Sequence, residues 1–434
     1  MAVKSDYMDT KNIVKKKNIV INTEDEQYYK YYANLGIYKL CSDNSIKRMI
    51  TDYYLNTYED AEDYWDINYI NKIFYSLPVI AKRINGLGKN EDIIVYNNGV
   101  LDLKTKVLVP HNKSFKATSK IAFDYSGSTS IKTPVFDKYL DDISVGDLEL
   151  KTTLMEIIGY CLTNHIRAGK CFILFGSGSN GKSVFLKLLA HLVGGYSALN
   201  INDVNKSKFS LSSMIGQKIN VVNELDNGLT LDDIFNANMK SIITGEPVRV
   251  EPKGKPMFSH VFSTKMIMAT NTLPEVKKIP DFSVKRRFCL LPFDATFAGN
   301  KVDRNILDKL KGETSGIIAK AMQSYFDFQE RDYHFTYEKK SDELYDEEVQ
   351  RAFPVVMFVK DKIQEAKGTG SRITYKDIRA TYEDWCAIKK IPKSQINDKF
   401  FSVLINRALT FNNISHHKKF KSNGVRGIEG ISMK

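Results

Sequence analysis

Residues 175–185 read FGSGSNGKSVF, preceded by the apolar run CFIL (171–174) and followed by LKLLAHLV (186–193), which has helical apolar spacing. Within it, Gly176-Ser177-Gly178-Ser179-Asn180-Gly181-Lys182-Ser183 matches G-x-x-x-x-G-K-[ST] in full. The chemistry explains the residue types. Backbone N–H groups must turn inward onto phosphate oxygens, and a Cβ at the glycine positions would obstruct that turn. A helix beginning near Lys182 adds its positive N-terminal end. Lys182 is expected to reach the β- and γ-phosphates of a bound nucleotide and Ser183 to ligate Mg²⁺, with Val184 completing the binding segment. The competing reading is an ordinary Gly/Ser-rich surface loop, but a strand before and a helix after favour the phosphate cradle.

Three further segments extend the pattern. QKINVVNELDN (217–227) reads as a buried strand with two carboxylates at its exit, Glu224 and Asp226. Two apart on an extended chain, they are expected to point the same way and to act on Mg²⁺ or on the attacking water, Glu224 being nearer the strand end; Asp226 could equally face solvent or cap a helix. KMIMATN (265–271) is a second strand, ending in Asn271, which could position water beside a γ-phosphate or simply form a turn. SVKRRFCLLPF (283–293) places Arg286 and Arg287 before a third strand, and arginine suits the charge of a transferring phosphoryl group. Between the acidic strand and Asn271, VRVEPKGKPMFSHVF (248–262) predicts a cationic hairpin with Lys253 and Lys255 around Gly254 and Arg249 on its first arm. That is a form suited to tracking a phosphate backbone.

Composition bounds the rest. The 434 residues, 43% hydrophobic and 26% charged, suffice for two or three domains. No apolar run is long enough to span a membrane, and the first residues lack the apolar core of a secretory signal. The five cysteines are scattered without a C-x-x-C pair, which argues against a disulfide framework or zinc site and for a reducing cytoplasm. Net charge is +12, and residues 351–434 carry seventeen Lys and Arg against seven Asp and Glu, so a basic C-terminal module with an acidic partner is expected. The boundaries read as 1–145, mostly helical with a hairpin at DIIVYNNGVLDLKTKVLVP (92–110); 146–330, an α/β domain; 331–350, a charged linker or solvated helix; and 351–434. In the last region three helical patterns precede ISHHKKFKSNGVRGIEGISM (414–433), a basic hairpin. This predicts a winged helix, with 394–407 as recognition helix and Lys418, Lys419, Lys421 and Arg426 on the wing.

Taken together, the phosphate loop, acidic strand, basic hairpin, strand ending in Thr-Asn and arginine before a strand resemble the superfamily 3 helicases, in their phage, plasmid and poxvirus primase-helicase branch. The resemblance implies an α/β AAA+ P-loop ATPase core, ATP and Mg²⁺ as cofactors, and a homo-hexameric ring with Arg286 or Arg287 entering the neighbouring subunit's site. It further implies channel hairpins gripping single-stranded DNA, 3′ to 5′ travel and a replication role beside a primase or other replication proteins, with duplex or origin DNA at the C-terminal domain if the chain is also the origin-binding initiator. No primase active site is recognisable upstream. Two other classes remain open: a DNA-bound ATPase switch or initiator that does not translocate, and a DNA-binding regulator with a vestigial phosphate loop.

Overall fold

The computed structural model describes residues 6–58, 66–206, 209–226, 228–254, 257–280, 282–299, 303–366, 370–392, 401–414, 417–422 and 424–434. At its centre is a four-stranded parallel sheet in the order Phe288–Pro292, Cys171–Phe175, Lys265–Thr270, Ile219–Val222. All four are nearly continuous apolar runs, as strands covered on both faces require, and their burial is almost complete. Ser197 adds a single parallel bridge to Asn220 on the outer edge.

Alternate residues feed two cores. Phe172, Leu174, Val221, Ile267 and Leu291 point into one, beneath helices Leu148–Leu162, Lys182–Val193 and Thr314–Glu330. Ile173, Val222, Met266, Met268 and Leu290 point into the other, which helix Ala237–Thr244 and the C-terminal region cover. Gly159 makes one helix crossing possible: a Cβ there would lie 2.3 Å from the Ala321 carbonyl oxygen.

The N-terminal region is not mainly helical. Besides helices Asp6–Lys17, Asp43–Leu55 and Ile67–Ile80, it contains a four-stranded sheet ordered Ile37–Cys41, Tyr28–Tyr32, Ile19–Asn22, Lys82–Ile84. Tyr and Ile fill both the helices and the strands of this region, so composition alone does not separate the two. Asp9 ties the first helix to the other two by accepting hydrogen bonds from the hydroxyls of Tyr53, Tyr58 and Tyr69. The expected hairpin is present as Ile93–Tyr96 and Gly99–Asp102, with Leu108–Val109 as an added third strand.

Residues 331–350 do not form a linker. Helix Glu338–Ala352 takes up most of them, with Ser341, Tyr345 and Val349 buried at four-residue spacing. Ser341 Oγ accepts the Leu290 N–H, and Glu338 pairs with buried Lys170. The charges decorate the outer face of a packed helix.

Beyond it come helix Pro354–Lys362, strands Ile363–Glu365 and Arg372–Thr374, helices Tyr375–Ile388 and Phe401–Phe411, and the hairpin Lys418–Ser422/Val425–Glu429, closed by Ile431–Met433. Tyr382 and Trp385 stack on one another and pack against Phe358. Residues 394–400 of the expected recognition helix lie outside the described residues.

Candidate nucleotide site and nucleic-acid interface

The candidate phosphate loop, residues 176–183, sits at the carboxyl edge of the parallel sheet, where ligands of such sheets bind. Its backbone conformation demands the residues it has. Gly176 adopts φ 146° and Gly181 φ 91°, both in the region that favours glycine. A Cβ on Gly176 would lie 2.2 Å from the Phe293 carbonyl oxygen, and one on Gly181 would lie 2.6 Å from an Ile143 methyl. Asn180 is buried and pins the loop to the neighbouring strand end, its Nδ2 donating to the Phe293 carbonyl at 2.7 Å. Lys182 folds back onto the loop, Nζ donating to the Gly176 carbonyl at 2.6 Å and to Asn180 Oδ1 at 3.0 Å. Burial lowers its pKa below the ordinary lysine value, so a charged acceptor arriving in the loop would find a cation short of solvent.

A cavity of about 1340 Å³ opens over the loop, lined by Gly178 to Val184 and, across from them, by Asn223, Glu224 and Asn271. Glu224 and Asn271 were expected here, and the strand order explains their meeting. The strand ending in Thr270 lies between the phosphate-loop strand and the acidic strand, so Asn271 falls between the other two tips. Asp226 does not share the cavity: it accepts a hydrogen bond from Asn202 Nδ2 at 3.0 Å. The chain bends after Val222, with Leu225 buried, so the extended geometry expected for the two acids ends before Glu224. The Ser183 hydroxyl and the Glu224 carboxylate line the same cavity and are hard oxygen donors. They fit Mg²⁺, which takes few protein ligands and fills its shell with water and phosphate.

Sequence reasoning missed the opposite wall. Helix Pro134–Ser144 contributes Pro134, Val135 and Tyr139, and the chain beyond the last sheet strand contributes Phe297 and Ile306. Tyr139 donates its hydroxyl to the Gly181 carbonyl at 3.0 Å, and the Phe297 N–H donates to the Ser179 carbonyl at 2.8 Å. Four charged side chains of this wall pair with each other, Lys138 with Asp142 and Lys309 with Asp303, and Asp294 lies exposed beside them. The apolar members of this wall, beside the candidate phosphate cradle, are suited to one face of a nucleobase.

Arg286 and Arg287 lie at the amino end of strand Phe288–Pro292, the edge opposite the cavity. A five-residue strand advances about 3.3 Å per residue, so roughly 16 Å of sheet separates them from the loop of their own chain. Arg286 is exposed. Arg287 is half-buried against Gly169, to whose carbonyl its Nη1 donates at 3.4 Å; burial and then the neighbouring Arg286 lower its pKa.

The basic hairpin forms as strands Val248–Val250 and Phe258–His260. Val248 and Val250 are buried and Arg249 points outward, with Lys253 and Gly254 exposed in the connection. Lys255 lies outside the described residues. On the C-terminal hairpin, Lys418, Lys419, Lys421 and Arg426 are all exposed, and Lys421 faces Arg426 directly across the strands. Like charges so placed repel one another, and among the described residues no ion pair relieves any of the four. Such a surface gains most from a polyanion.

The chain is similar to several known proteins. Residues 174–287 match a family of unknown function (DUF5906), and residues 37–145 match a family described as D5 N terminal like. A helicase-named protein of Acanthamoeba polyphaga mimivirus is 24% identical over 224 residues, 49% of this chain. The matched portion is only 23% of that relative's length. Two apo structures of the NrS-1 C-terminal region align along nearly the whole chain. One has 11% identity and a TM-score of 0.54, covering 98% of both chains; the other has 10% identity and a TM-score of 0.56, covering 99% of this chain and all of that one. The chain shares their mixed α/β fold. No helix among the described residues is long and apolar enough to cross a membrane.

Proposed function

We propose that the chain is the motor of an ATP-dependent DNA helicase of the superfamily 3 type, serving replication of a phage, virus, plasmid or other mobile element. The observation that carries this reading is the placement of the phosphate loop, Glu224 and Asn271 around one cavity, with the arginine pair at the opposite edge of the same sheet. The helicase-named viral relative, the D5 N terminal like match and the fold likeness to the NrS-1 C-terminal region support it. The parallel core is then an AAA+ ATPase core, and the last helices with their basic hairpin are a winged helix.

In this account Lys182 leaves the Gly176 carbonyl for the β- and γ-phosphates of ATP, while Ser183 and Glu224 hold Mg²⁺. The metal supplies charge neutralisation of the phosphates. Glu224 also polarises the attacking water, and Asn271, exposed at its strand tip, hydrogen-bonds near the γ-phosphate and reports its loss. The base rests on the wall of Val135, Tyr139 and Ile306. Because Arg286 cannot reach its own chain's cavity, it serves the site of the next copy in a homo-hexameric ring. The Lys253 hairpins then face a channel carrying single-stranded DNA with 3′ to 5′ travel, and Lys418, Lys419, Lys421 and Arg426 contact duplex. A primase or other replication protein would work beside the ring.

The test is complementation. Arg286→Ala should lower ATPase turnover by about 10³-fold or more. Mixing it with Lys182→Ala protein should restore part of the activity, since one variant keeps an intact loop and the other an intact arginine. No recovery on mixing would remove the shared site from the account.

A further inference from the structure

A second cleft, of about 430 Å³, lies in the N-terminal region and has no part in the proposed nucleotide site. Four lysines line it, from three separate segments: Lys15 on the last turn of helix Asp6–Lys17, Lys82 on an edge strand, and Lys113 and Lys116 on the 3₁₀ turn at 113–115 and just after it. All four are exposed, and no Asp or Glu lines the cleft. Among the described residues none of the four is ion-paired. The nearby acids Glu24 and Glu26 pair instead with Lys89 and Arg83, outside the cleft lining.

The rest of the lining is chosen for a ligand with both charge and apolar surface. Val20, Tyr38 and Ile84 form an apolar floor, and Tyr38 is buried there. Asn112 accepts the Ser114 N–H through Oδ1, which fixes the 3₁₀ turn and leaves its amide N–H₂ unused within that turn. Lys116, held at φ 52°, donates to the Asn85 carbonyl at 2.9 Å, so its ammonium is positioned before any ligand arrives. Lys82 lies beside Val20 in the parallel register, which sets its cation at the margin of the floor.

We propose that this cleft binds the phosphate backbone of a single-stranded nucleic acid, as a contact separate from the Lys253 hairpin and the C-terminal wing. A concave site with cations at its margin and an apolar floor accepts a flexible strand, which can track the cations while a sugar or base enters the floor. A rigid duplex could touch only the rim. The volume is within the range of about 300–1,000 Å³ usual for small-ligand pockets, enough for a nucleotide unit of such a strand.

The experiment uses the full chain and a variant with Lys15, Lys82, Lys113 and Lys116 all changed to Ala. Binding of a fluorescein-labelled oligo-dT is followed by anisotropy between about 50 and 200 mM salt. Each single-strand phosphate contact contributes roughly 0.7 to the slope of log K against log salt, so the variant's slope should be shallower by about 3. Its affinity at the low-salt end should fall at least about tenfold. ATPase activity without DNA should be unchanged, because none of the four residues lines the nucleotide cavity. Iododeoxyuridine in the oligonucleotide should cross-link wild-type protein to peptides carrying residues 15, 82 and 113–116, a readout that needs no variant.

An unchanged slope together with absent cross-links would overturn the proposal. So would a loss confined to blunt duplex or to phosphatidylserine vesicles. Full competition by millimolar inorganic phosphate would reassign the cleft to a small anion.

Discussion

Asn180 occupies a variable position of the phosphate-loop pattern, yet the structure gives it a defined task. It is 2% exposed, donates to the Phe293 carbonyl at 2.7 Å and accepts from Lys182 Nζ at 3.0 Å. Asn180→Ala removes both bonds and leaves the Phe293 carbonyl without that donor. Leaving a buried polar group unpaired costs about 1–3 kcal/mol. The sheet ladder between strands Phe288–Pro292 and Cys171–Phe175 is untouched, so the cost falls on the loop's preorganisation rather than on the fold. At 1.4 kcal/mol per decade, ATP affinity should weaken by roughly 5- to 150-fold, with the melting temperature shifted by only a few degrees. Titration with a fluorescent ATP analogue measures the first and calorimetry the second. An unchanged Kd accompanied by a large fall in Tm would refute the reasoning, since Asn180 would then be holding the domain together and not shaping the loop.

Glu224→Gln should reduce ATP turnover by about 10²- to 10⁴-fold while ATP still binds. Asp226→Asn should leave turnover near wild type, because that carboxylate faces Asn202 outside the cavity; steady-state ATPase assays of both variants decide between them. Lys265 is fully buried, donates to the Thr163 carbonyl at 2.7 Å, and burial pushes its pKa down to about 7. A lysine with a depressed folded-state pKa leaves the unfolded chain binding more protons at neutral and mildly alkaline pH, so its contribution makes stability rise from about pH 7 upward. Lys265→Met should be more stable at pH 7 and should flatten that rise between pH 7 and about 8, the titration of the five buried cysteines being common to both proteins. Denaturant unfolding at the two pH values tests this, and equal pH slopes for the two proteins would contradict it.

What was legible in the sequence follows from how local each signal is. The phosphate loop could be found because backbone curvature forces Gly176 and Gly181 into place. The four core strands could be found because burial on both faces leaves nearly unbroken apolar text. Glu224 and Asn271 follow from their positions at strand exits. The apolar wall of Val135, Tyr139 and Ile306 left no motif, since its residues converge from distant segments through tertiary packing. Asp226 lies outside the cavity because the chain bends at the strand end, where an alternation rule no longer applies. In 331–350 the abundant charges hid the four-residue spacing of Ser341, Tyr345 and Val349, which marks a helix with one buried face. The N-terminal sheet was hidden by tyrosines, which suit a helix face or a strand.

In the proposed function, ATP turnover at the Lys182 loop drives DNA unwinding. Strand displacement from a forked duplex, with ATP and Mg²⁺, compares the full chain with Lys182→Ala. Displacement by the wild type should require a 3′ single-stranded tail, and the variant should give none. Equal displacement by both proteins, or turnover by the wild type with no displacement from any fork, would contradict it.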